Sequence, residues 1–188
     1  MRVIAGKARG KKLLSPQNNN VRPTLDRVKE SLFNIIGFNI RESVFLDLFC
    51  GSASIGIEAL SRDAAKVYFV DRDLESINLA KKNIESCKFS FSNYEIIKND
   101  VMDSLTLLSN KNIKFDYIFM DPPYVFENTS KVIEMISQEE LLDEYGMLVV
   151  ETDIQYDLEE EIAGLKKTRE KKYSIIKLTF YERTESNG

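Results

Sequence analysis

The segment Asp121-Pro122-Pro123-Tyr124 combines residue types that can hold a flat, amino-bearing ring by its edge and its face. Proline has no N–H, and a residue before proline is pushed toward extended geometry, so no continuing helix takes up the carbonyl groups of Asp121 and Pro122. The Asp121 carboxylate and the Pro122 carbonyl can then accept hydrogen bonds, and Tyr124 offers an aromatic face. A nucleobase is such a ring. An ordinary proline turn after a strand is the alternative interpretation.

The chemistry that this segment suits is methyl transfer to an exocyclic amine. Such an amine is a poor nucleophile because its lone pair is delocalised into the ring. Acceptors on its two hydrogens, from Asp121 and Pro122, favour a pyramidal nitrogen and direct its lone pair at a methyl donor. Orientation of this kind contributes up to about 7–11 kcal/mol, and stacking of the base on Tyr124 roughly 1–3 kcal/mol. The base must be unpaired or flipped out of a helix to enter the pocket.

Composition narrows the choice of chemistry. The 188 residues contain no histidine, which excludes Ser-His and Cys-His nucleophile pairs and His-based zinc sites. Cys50 and Cys87 are not at the spacing of a metal site, so we expect neither a metal nor a disulfide. No apolar run is long enough to span a bilayer, and the basic N-terminus lacks the apolar stretch of a signal peptide. The sequence therefore predicts a cytoplasmic protein.

Positive charge is concentrated at the N-terminus. Residues 1–30 hold eight Lys or Arg and two acidic residues, whereas the whole chain has a net charge of −4. A basic segment on an acidic body predicts that a polyanion is bound at one place on the surface, and a solvated charged tail is the alternative. The residues predicted to contact the polyanion are Arg2, Lys7, Arg9, Lys11, Lys12 and Arg22.

The chain divides into a short arm and one larger unit. Residues 1–20 read as a basic hairpin of two short strands around a turn at 7–10, followed by a polar linker, and residues 21–188 read as a single domain. Thr24 can cap the first helix of this domain, which runs to about Ile36.

From residue 44 onward strand and helix patterns alternate. The predicted strands are 44–49, 66–71, 94–98, 115–120 and 145–151, and the predicted helices are 54–62, 73–87, 101–109 and 128–138. This alternation predicts an α/β fold with a doubly wound, mostly parallel sheet that binds ligands at the carboxyl ends of its strands. Residues 166–172 and 174–182 are predicted to form an antiparallel pair at the sheet edge.

Small and acidic residues follow the first three predicted strands. The turn between Asp47 and Gly56 lets the backbone approach a ligand closely. Asp71 can accept hydrogen bonds from both ribose hydroxyls, and Asp100 is placed to meet an adenine amino group. These positions outline an adenosine pocket. The predicted cofactor contacts are Asp47, Gly51, Ser52, Ala53, Asp71, Asp100 and Val101.

Other interpretations of these residues stay open. One alternative is that Asp47 only pins the turn. Another is that Asp71 and Asp100 act only as helix caps. A Gly-x-Ala-x-x-Gly turn followed by a distant acid also fits a nicotinamide or flavin dinucleotide. The segment from Asp121 to Tyr124 favours a methyl donor, because it serves amine methylation and no hydride transfer.

Four segments together carry a family resemblance: residues 1–13, 22–33, 47–62 and 121–124. In these segments the chain resembles the class I S-adenosylmethionine-dependent methyltransferases, and within them the RsmD type, which methylates guanine N2 in small-subunit (16S) ribosomal RNA. The Arg-Pro-Thr block at 22–33, joined to a basic hairpin, is the specific part, since many amino-methyltransferases share the proline tetrapeptide.

The resemblance implies a cofactor, a substrate and a fold. S-adenosylmethionine is expected at Gly51 and Asp71, the target base between Asp121, Pro122 and Tyr124, and RNA on the N-terminal arm. The sheet is expected to have seven strands. Family loops often have glycine where this chain has Ala53, and a positive φ there costs about 1–2 kcal/mol.

The expected partner is 16S rRNA, recognised by its folded shape, on an assembling small ribosomal subunit and by a monomeric enzyme. With so few residues outside the sheet, there is no room for a separate domain that reads DNA sequence. Methylation of adenine N6 or of a glutamine amide would use the same chemistry and is the first alternative. A catalytically silent RNA-binding protein or a dinucleotide-dependent enzyme is the second.

Overall fold

A single mixed β-sheet carries the fold. The computed structural model describes residues 1–16, 24–123 and 127–184. Within these residues the strands are β1 (Val44–Leu48), β2 (Lys66–Asp71), β3 (Tyr94–Lys98), β4 (Phe115–Met120), β5 (Leu142–Asp153), β6 (Glu161–Ile162), β7 (Leu165–Lys172) and β8 (Ile176–Arg183). The helices are α1 (Thr24–Ile36), α2 (Ser54–Ser61), α3 (Leu74–Ser86), α4 (Val101–Asn110) and α5 (Thr129–Gln138).

The strand order is β3-β2-β1-β4-β5-β8-β7-β6. Strands β1 to β5 pair in parallel, and β5-β8, β8-β7 and β7-β6 pair antiparallel. The predicted α/β class, with antiparallel strands at one edge, is therefore confirmed. The order reverses between β1 and β4, which places the crevice for a ligand beside the carboxyl ends of those two strands.

The described sheet has eight strands, one more than the seven expected. The additional strand is β6, which has two residues and pairs with the start of β7. Ala163 and Gly164, the two residues of the connecting turn, have φ values of 49° and 82°. Two successive positive φ angles are typical of a tight two-residue hairpin, which explains how so short a strand pairs.

The central strands are buried on both faces because helices cover both. Helices α1, α2 and α3 pack on one face, around Leu32, Ile57 and Ala80. Helices α4 and α5 pack on the other face, around Leu105 and Ile133. Strands β2, β3 and β4 begin and end at the predicted residues. Strand β4 is buried along nearly its whole length, as its near-continuous apolar run indicates. In the part of the chain that the structure describes, no helix is long and apolar enough to cross a membrane.

Residues 1–16 lie against the domain and are held there by hydrogen bonds. The two predicted strands of this hairpin are reduced to one antiparallel bridge, Arg2 to Lys12. The reason is that backbone donors are used for docking: Ile4 and Ala5 donate to the Glu58 carboxylate, at 2.8 and 3.0 Å. On the far side of the hairpin, the Leu14 N–H donates to Asn83 of α3 at 2.8 Å. The separation into an arm at 1–20 and a domain at 21–188 stays a prediction.

Candidate functional site

A cavity of about 240 Å³ lies at the carboxyl ends of β1 and β4. The loop 49–55 after β1 forms one wall, and Val28 and Lys29 of α1 form another. Met1 and Pro16 border the cavity from the arm, so the arm is part of the site. Three carboxylates also line it, those of Asp47, Asp121 and Glu151.

The loop after β1 is built from unusual backbone conformations. Phe49, Gly51 and Ala53 have φ values of 57°, 51° and 65°. Because Ala53 has a positive φ, it carries the backbone strain of about 1–2 kcal/mol that is expected where alanine replaces glycine in this conformation. No atom lies within 4 Å of where a Cβ on Gly51 would stand, so a ligand can approach the Gly51 backbone directly. Ser52 lies between them, half-buried, with its carbonyl accepting from Asn83 at 2.9 Å.

Asp47 lies under this loop and is almost fully buried, with 2% of its surface exposed. Its Oδ2 atom accepts a hydrogen bond from the Gly56 N–H at 2.9 Å. This contact fits the interpretation that Asp47 pins the turn. Burial raises the pKa of the Asp47 carboxyl well above its usual value, and the negative charges of Asp121 and Asp71 raise it further. A positively charged group in the cavity would stabilise the ionised form.

Gly56 sets how closely α2 approaches β2. A Cβ at this position would stand 2.2 Å from a ring atom of Phe69 and 2.9 Å from a methyl of Val67. Only glycine fits there, and the close approach in turn brings the Gly56 N–H to Asp47. The small residues of this segment thus serve both helix packing and the loop.

Asp71 holds the loop from the end of β2. Its Oδ2 accepts from the Gly51 N–H at 3.0 Å and its Oδ1 from the Asp73 N–H at 2.9 Å. The cap of α3 is Asp73, which accepts from the Ser76 N–H at 2.7 Å, so Asp71 is not the helix cap. Each carboxylate oxygen can accept more than one hydrogen bond, and ribose binding by Asp71 stays a prediction.

Asp100 caps a helix, as one of the two interpretations of this residue predicted. Its Oδ1 accepts from the Met102 N–H at 2.9 Å at the start of α4. Val101, the first residue of that helix, is buried. Both residues lie at the carboxyl edge of the sheet, after β3, and their contact with an adenine ring stays a prediction.

Asp121 directly follows β4, and Glu151 lies near the end of the neighbouring strand β5. Met120 and Val150 are partners in the parallel register, so Asp121 and Glu151 come next on the two strands and on the same face of the sheet. Both line the main cavity and also a smaller one of about 40 Å³ beside it. Glu151 was not among the site residues predicted from the sequence. Its place at the end of the predicted strand 145–151, next to the strand of Asp121, was the available signal.

Surrounding protein atoms displace much of the water around the carboxyl groups of Asp121 and Glu151, although Asp121 lines both cavities. Desolvation raises the pKa of Asp121 to about 7. Desolvation and then the negative charge of Asp121 raise the pKa of Glu151 to about 8. Two carboxylates on adjacent strand ends repel each other, so a ligand that offers hydrogen-bond donors to both would stabilise their ionised forms.

The smaller cavity lies between the proline segment and the end of β5. Pro122 and Pro123 line it, together with Thr152, Tyr156 and Ile176. The side chain of Tyr156 is 42% exposed, so it presents an accessible aromatic surface beside the carboxylates. Tyr124, the predicted stacking residue, lies outside the described residues.

The basic residues of the arm lie on its outer surface. Arg2 forms an ion pair with Asp26 at 3.8 Å, and Lys7 forms one with Asp63 at 2.7 Å. Arg9, Lys11 and Lys12 are exposed and make no ion pair within the residues that the structure describes. Arg22 lies outside the described residues.

Lys29 connects the arm, the cavity and α2. The side chain is 2% exposed, and its Nζ donates to the Arg2 carbonyl at 2.6 Å and to Ser54 Oγ at 2.9 Å. The Glu58 carboxylate lies 3.5 Å from the same nitrogen. Burial lowers the pKa of Lys29, and Glu58 acts in the opposite direction. Sequence reasoning missed Lys29 because it counted that lysine only as part of the N-terminal positive charge.

Comparison with known proteins identifies the family of this chain. The family described as "Conserved hypothetical protein 95" matches residues 1–182. The chain is 40% identical over 153 residues to ribosomal RNA small subunit methyltransferase D of Haemophilus influenzae, covering 81% of this chain and 79% of that protein. The chain belongs to this family.

Further members resemble the chain over nearly its whole length. Putative rRNA methyltransferase YlbH of Bacillus subtilis is 35% identical over 183 residues, which are 97% of this chain and 99% of YlbH. The solved structure of putative methyltransferase yhhF from Escherichia coli superposes with a TM-score of 0.84 at 30% identity and covers 97% of each chain. In the described part of this family member, no group of three or more His, Cys, Asp or Glu side chains is placed to hold a metal ion.

Proposed function

We propose that this protein transfers a methyl group from S-adenosylmethionine to the exocyclic N2 of a guanine in small-subunit (16S) ribosomal RNA. The observation that carries the proposal is the ending of β4 in Asp121-Pro122-Pro123, open to two adjoining cavities. One cavity suits a cofactor and the other a base, and Asp121 lies between them. The names of the curated relatives support ribosomal RNA as the substrate.

The larger cavity and the strand ends beside it carry groups that suit S-adenosylmethionine. When bound, this cofactor supplies a methyl group on a positively charged sulfur. Asp47, buried and with a raised pKa, suits the cationic ammonium group of its methionine part. The open backbone at Gly51 permits close approach, and Asp71 and Asp100 lie at the strand ends where the adenosine is expected. Ser52, Ala53 and Val101 complete the proposed contacts.

Asp121 and Pro122 are proposed to orient the acceptor amine. The Asp121 carboxylate accepts one N–H of the amine and the Pro122 carbonyl the other. Both acceptors act on a nitrogen that becomes positively charged as the new N–C bond forms, so they stabilise the transition state more than the ground state. The methylated amine is strongly acidic and can then pass its proton to Asp121 or to water.

The proposed role of Asp121 predicts a pH dependence. Its carboxyl accepts a hydrogen bond from the amine only when ionised, and its pKa is raised to about 7 in the folded protein. We expect kcat/KM for methyl transfer to rise with pH through about 7 to 8 and to fall about tenfold per unit below that range. A pH profile of kcat/KM measured between pH 5.5 and 9 tests this. A flat profile over that range would show that ionisation of Asp121 is not required.

The arm is proposed to contact RNA phosphates through its exposed cations. Replacing Arg9, Lys11 and Lys12 together by alanine is expected to weaken RNA binding on the order of tenfold or more. The slope of log Kd against log salt concentration should also decrease by about 2–3, since each lost phosphate contact removes roughly 0.7–0.9. Affinity for S-adenosylhomocysteine should not change, because none of these three residues lines the cavity.

A matched control for the arm is available on the opposite edge of the sheet. Lys166, Lys171 and Lys172 of β7 are also exposed, and their triple alanine variant changes the net charge equally. This control should retain the RNA affinity and the salt slope. Equal loss in the two variants would indicate a general charge effect, and equal loss of RNA and cofactor affinity would contradict the separate roles of arm and cavity.

Methyl transfer from labelled S-adenosylmethionine tests the proposed function directly. The acceptors to compare are small-subunit particles, naked 16S rRNA, duplex DNA and total protein. We expect label in the rRNA of small-subunit particles, recovered as N2-methylguanosine after nuclease digestion. Label in N6-methyladenosine or in methylglutamine would support the alternative acceptors. Tighter binding of NAD than of S-adenosylhomocysteine in calorimetry would overturn the proposal.

We further propose that the enzyme acts as a monomer in the cytoplasm, on the assembling small subunit. An rRNA substrate requires a location where ribosomes assemble. Recognition of folded RNA or of a particle also fits the exposed basic residues at 9, 11 and 12.

A further inference from the structure

We infer that Glu151 accepts the N1–H of the target guanine and thereby makes the site select guanine over adenine. The inference rests on the proposed function, whose mechanism uses Asp121 and Pro122 and leaves Glu151 without a role. Glu151 is the second carboxylate of the site and lies on the wall of both cavities.

The geometry of the two strands sets the spacing of the two carboxylates. β4 and β5 are adjacent and parallel, with Met120 opposite Val150 and Phe119 opposite Val149. Neighbouring strands lie about 4.8 Å apart, and residues in register point to the same face. Asp121 and Glu151 therefore project side by side at the mouth of the pocket. They can contact neighbouring positions on one edge of a ring.

Guanine and adenine differ at that edge. Guanine presents N–H donors at both N1 and N2, whereas adenine presents a donor at N6 and an unprotonated acceptor nitrogen at N1. An ionised carboxylate only accepts hydrogen bonds. With the amine held at Asp121, guanine directs its N1–H toward Glu151, whereas adenine directs a lone pair there and leaves the carboxylate unpaired.

The electrostatics of the pair favour the same base. Negative charge on Asp121 raises the pKa of Glu151, which indicates that the two groups repel when both are ionised. Guanine compensates both carboxylates with donors, and adenine compensates only one. A purine with hydrogen-bond donors at N1 and N2 thus offsets the repulsion between the two ionised carboxylates.

The remaining walls of the smaller cavity suit a flat ring. Tyr156 and Ile176 line it together with Pro122 and provide apolar surface. Tyr156 follows the end of β5, so its ring lies a few residues beyond Glu151 in the chain and can cover a base that the carboxylates hold by the edge. The two contacts together define one pocket for a purine.

The test uses 2-aminopurine, which retains the amine at C2 but has an acceptor at N1 in place of the N–H. The target nucleotide is first mapped with the wild-type enzyme, and small-subunit particles are then assembled with guanine or 2-aminopurine at that position. We expect the wild-type enzyme to prefer guanine by about 10- to 100-fold in kcat/KM, the range of one base-specific hydrogen-bonding contact. Equal rates on the two particles would overturn the inference without any variant.

Glu151→Gln is expected to remove or reverse this preference, because a glutamine amide can donate to N1 of 2-aminopurine. Glu144→Gln also removes one negative charge from β5, but this exposed residue lines neither cavity, and the variant should retain the preference for guanine. Calorimetry with S-adenosylhomocysteine should give an affinity for Glu151→Gln within a few fold of the wild-type value, since Glu151 also borders the larger cavity. Loss of that affinity, an unchanged preference for guanine, or inactivity on both particles would each overturn the assignment. If wild-type enzyme methylates neither particle, the proposed function itself fails.

Discussion

Asp121→Ala is expected to lower kcat for methyl transfer by roughly 10²- to 10⁴-fold, the range for loss of a positioned proton acceptor or transition-state hydrogen bond. Asp121 ends β4 at the point where the two cavities adjoin. Without its carboxylate, the acceptor amine keeps only the Pro122 carbonyl, and its lone pair is no longer directed at the methyl donor. Single-turnover measurements with mapped small-subunit particles give the rate of this step directly.

Cofactor binding separates this effect from damage to the site. The proposed contacts of Asp121 are with the amine, so the Kd for S-adenosylhomocysteine should stay within a few fold of the wild-type value. Asp103→Ala on the exposed side of α4 is a suitable control, since it removes a carboxylate remote from both cavities. A rate within tenfold of wild type for Asp121→Ala would remove the basis of the proposed mechanism.

Asp121→Asn refines the interpretation. The amide oxygen of asparagine still accepts a hydrogen bond but carries no charge and takes up no proton. A rate for the asparagine variant well above that of the alanine variant would assign most of the effect of Asp121 to orientation. Equal rates would assign it to charge or to proton transfer.

The sheet, and the edge of it at which the cofactor is expected to bind, were predicted from local sequence patterns. Strands β2, β3 and β4 were predicted to the residue, and for β4 the signal is the near-continuous apolar run that is typical of a strand buried on both faces. Strand ends in an α/β sheet collect ligands, which directed attention to Asp47, Asp71, Asp100 and Asp121. Strand β6 escaped prediction because two residues carry no periodicity, and its pairing depends on the turn at 163–164.

The features that were missed depend on contacts between distant residues. Glu151 meets Asp121 only because β5 pairs with β4, and nothing local to Glu151 indicates its partner. The docking of the arm is also non-local, since Glu58 lies 54 and 53 residues from Ile4 and Ala5, whose N–H groups it accepts. Sequence patterns identify faces and ends of elements, whereas such pairs are defined by the assembled fold.

Glu58 is the residue whose loss should destabilise the protein most. Its side chain is fully buried on α2. One oxygen accepts from the Ala5 N–H and from Arg62 Nε at 3.0 and 2.9 Å, and the other from the Ile4 N–H, with Lys29 Nζ 3.5 Å away. Glu58→Ala leaves the buried Lys29 cation without its carboxylate partner and two part-buried N–H groups without their acceptor. We expect the free energy of unfolding to fall by about 3–5 kcal/mol.

Guanidinium denaturation measures this loss, and Glu134→Ala on the exposed face of α5 should change stability by less than about 0.5 kcal/mol. Hydrogen exchange locates the effect, because the amides of Ile4 and Ala5 should lose their protection. A cost below about 1 kcal/mol for Glu58→Ala would mean that other contacts, such as those of Ser61 and Asn83, suffice to hold the arm.

A double-mutant cycle tests whether the penalty comes from an uncompensated buried charge. Lys29→Met replaces the cation by an apolar side chain of similar length, so Glu58→Gln should cost less in the Lys29→Met background than in the wild type. Because Lys29 also borders the cofactor cavity and bonds the Arg2 carbonyl, the same variants should weaken binding of RNA and of S-adenosylhomocysteine together. The exposed arm cations, by contrast, should affect RNA alone. Loss of both affinities in the Glu58 and Lys29 variants, together with loss of RNA affinity alone in the arm-cation variant, would establish that the arm both binds RNA and closes one side of the cofactor site.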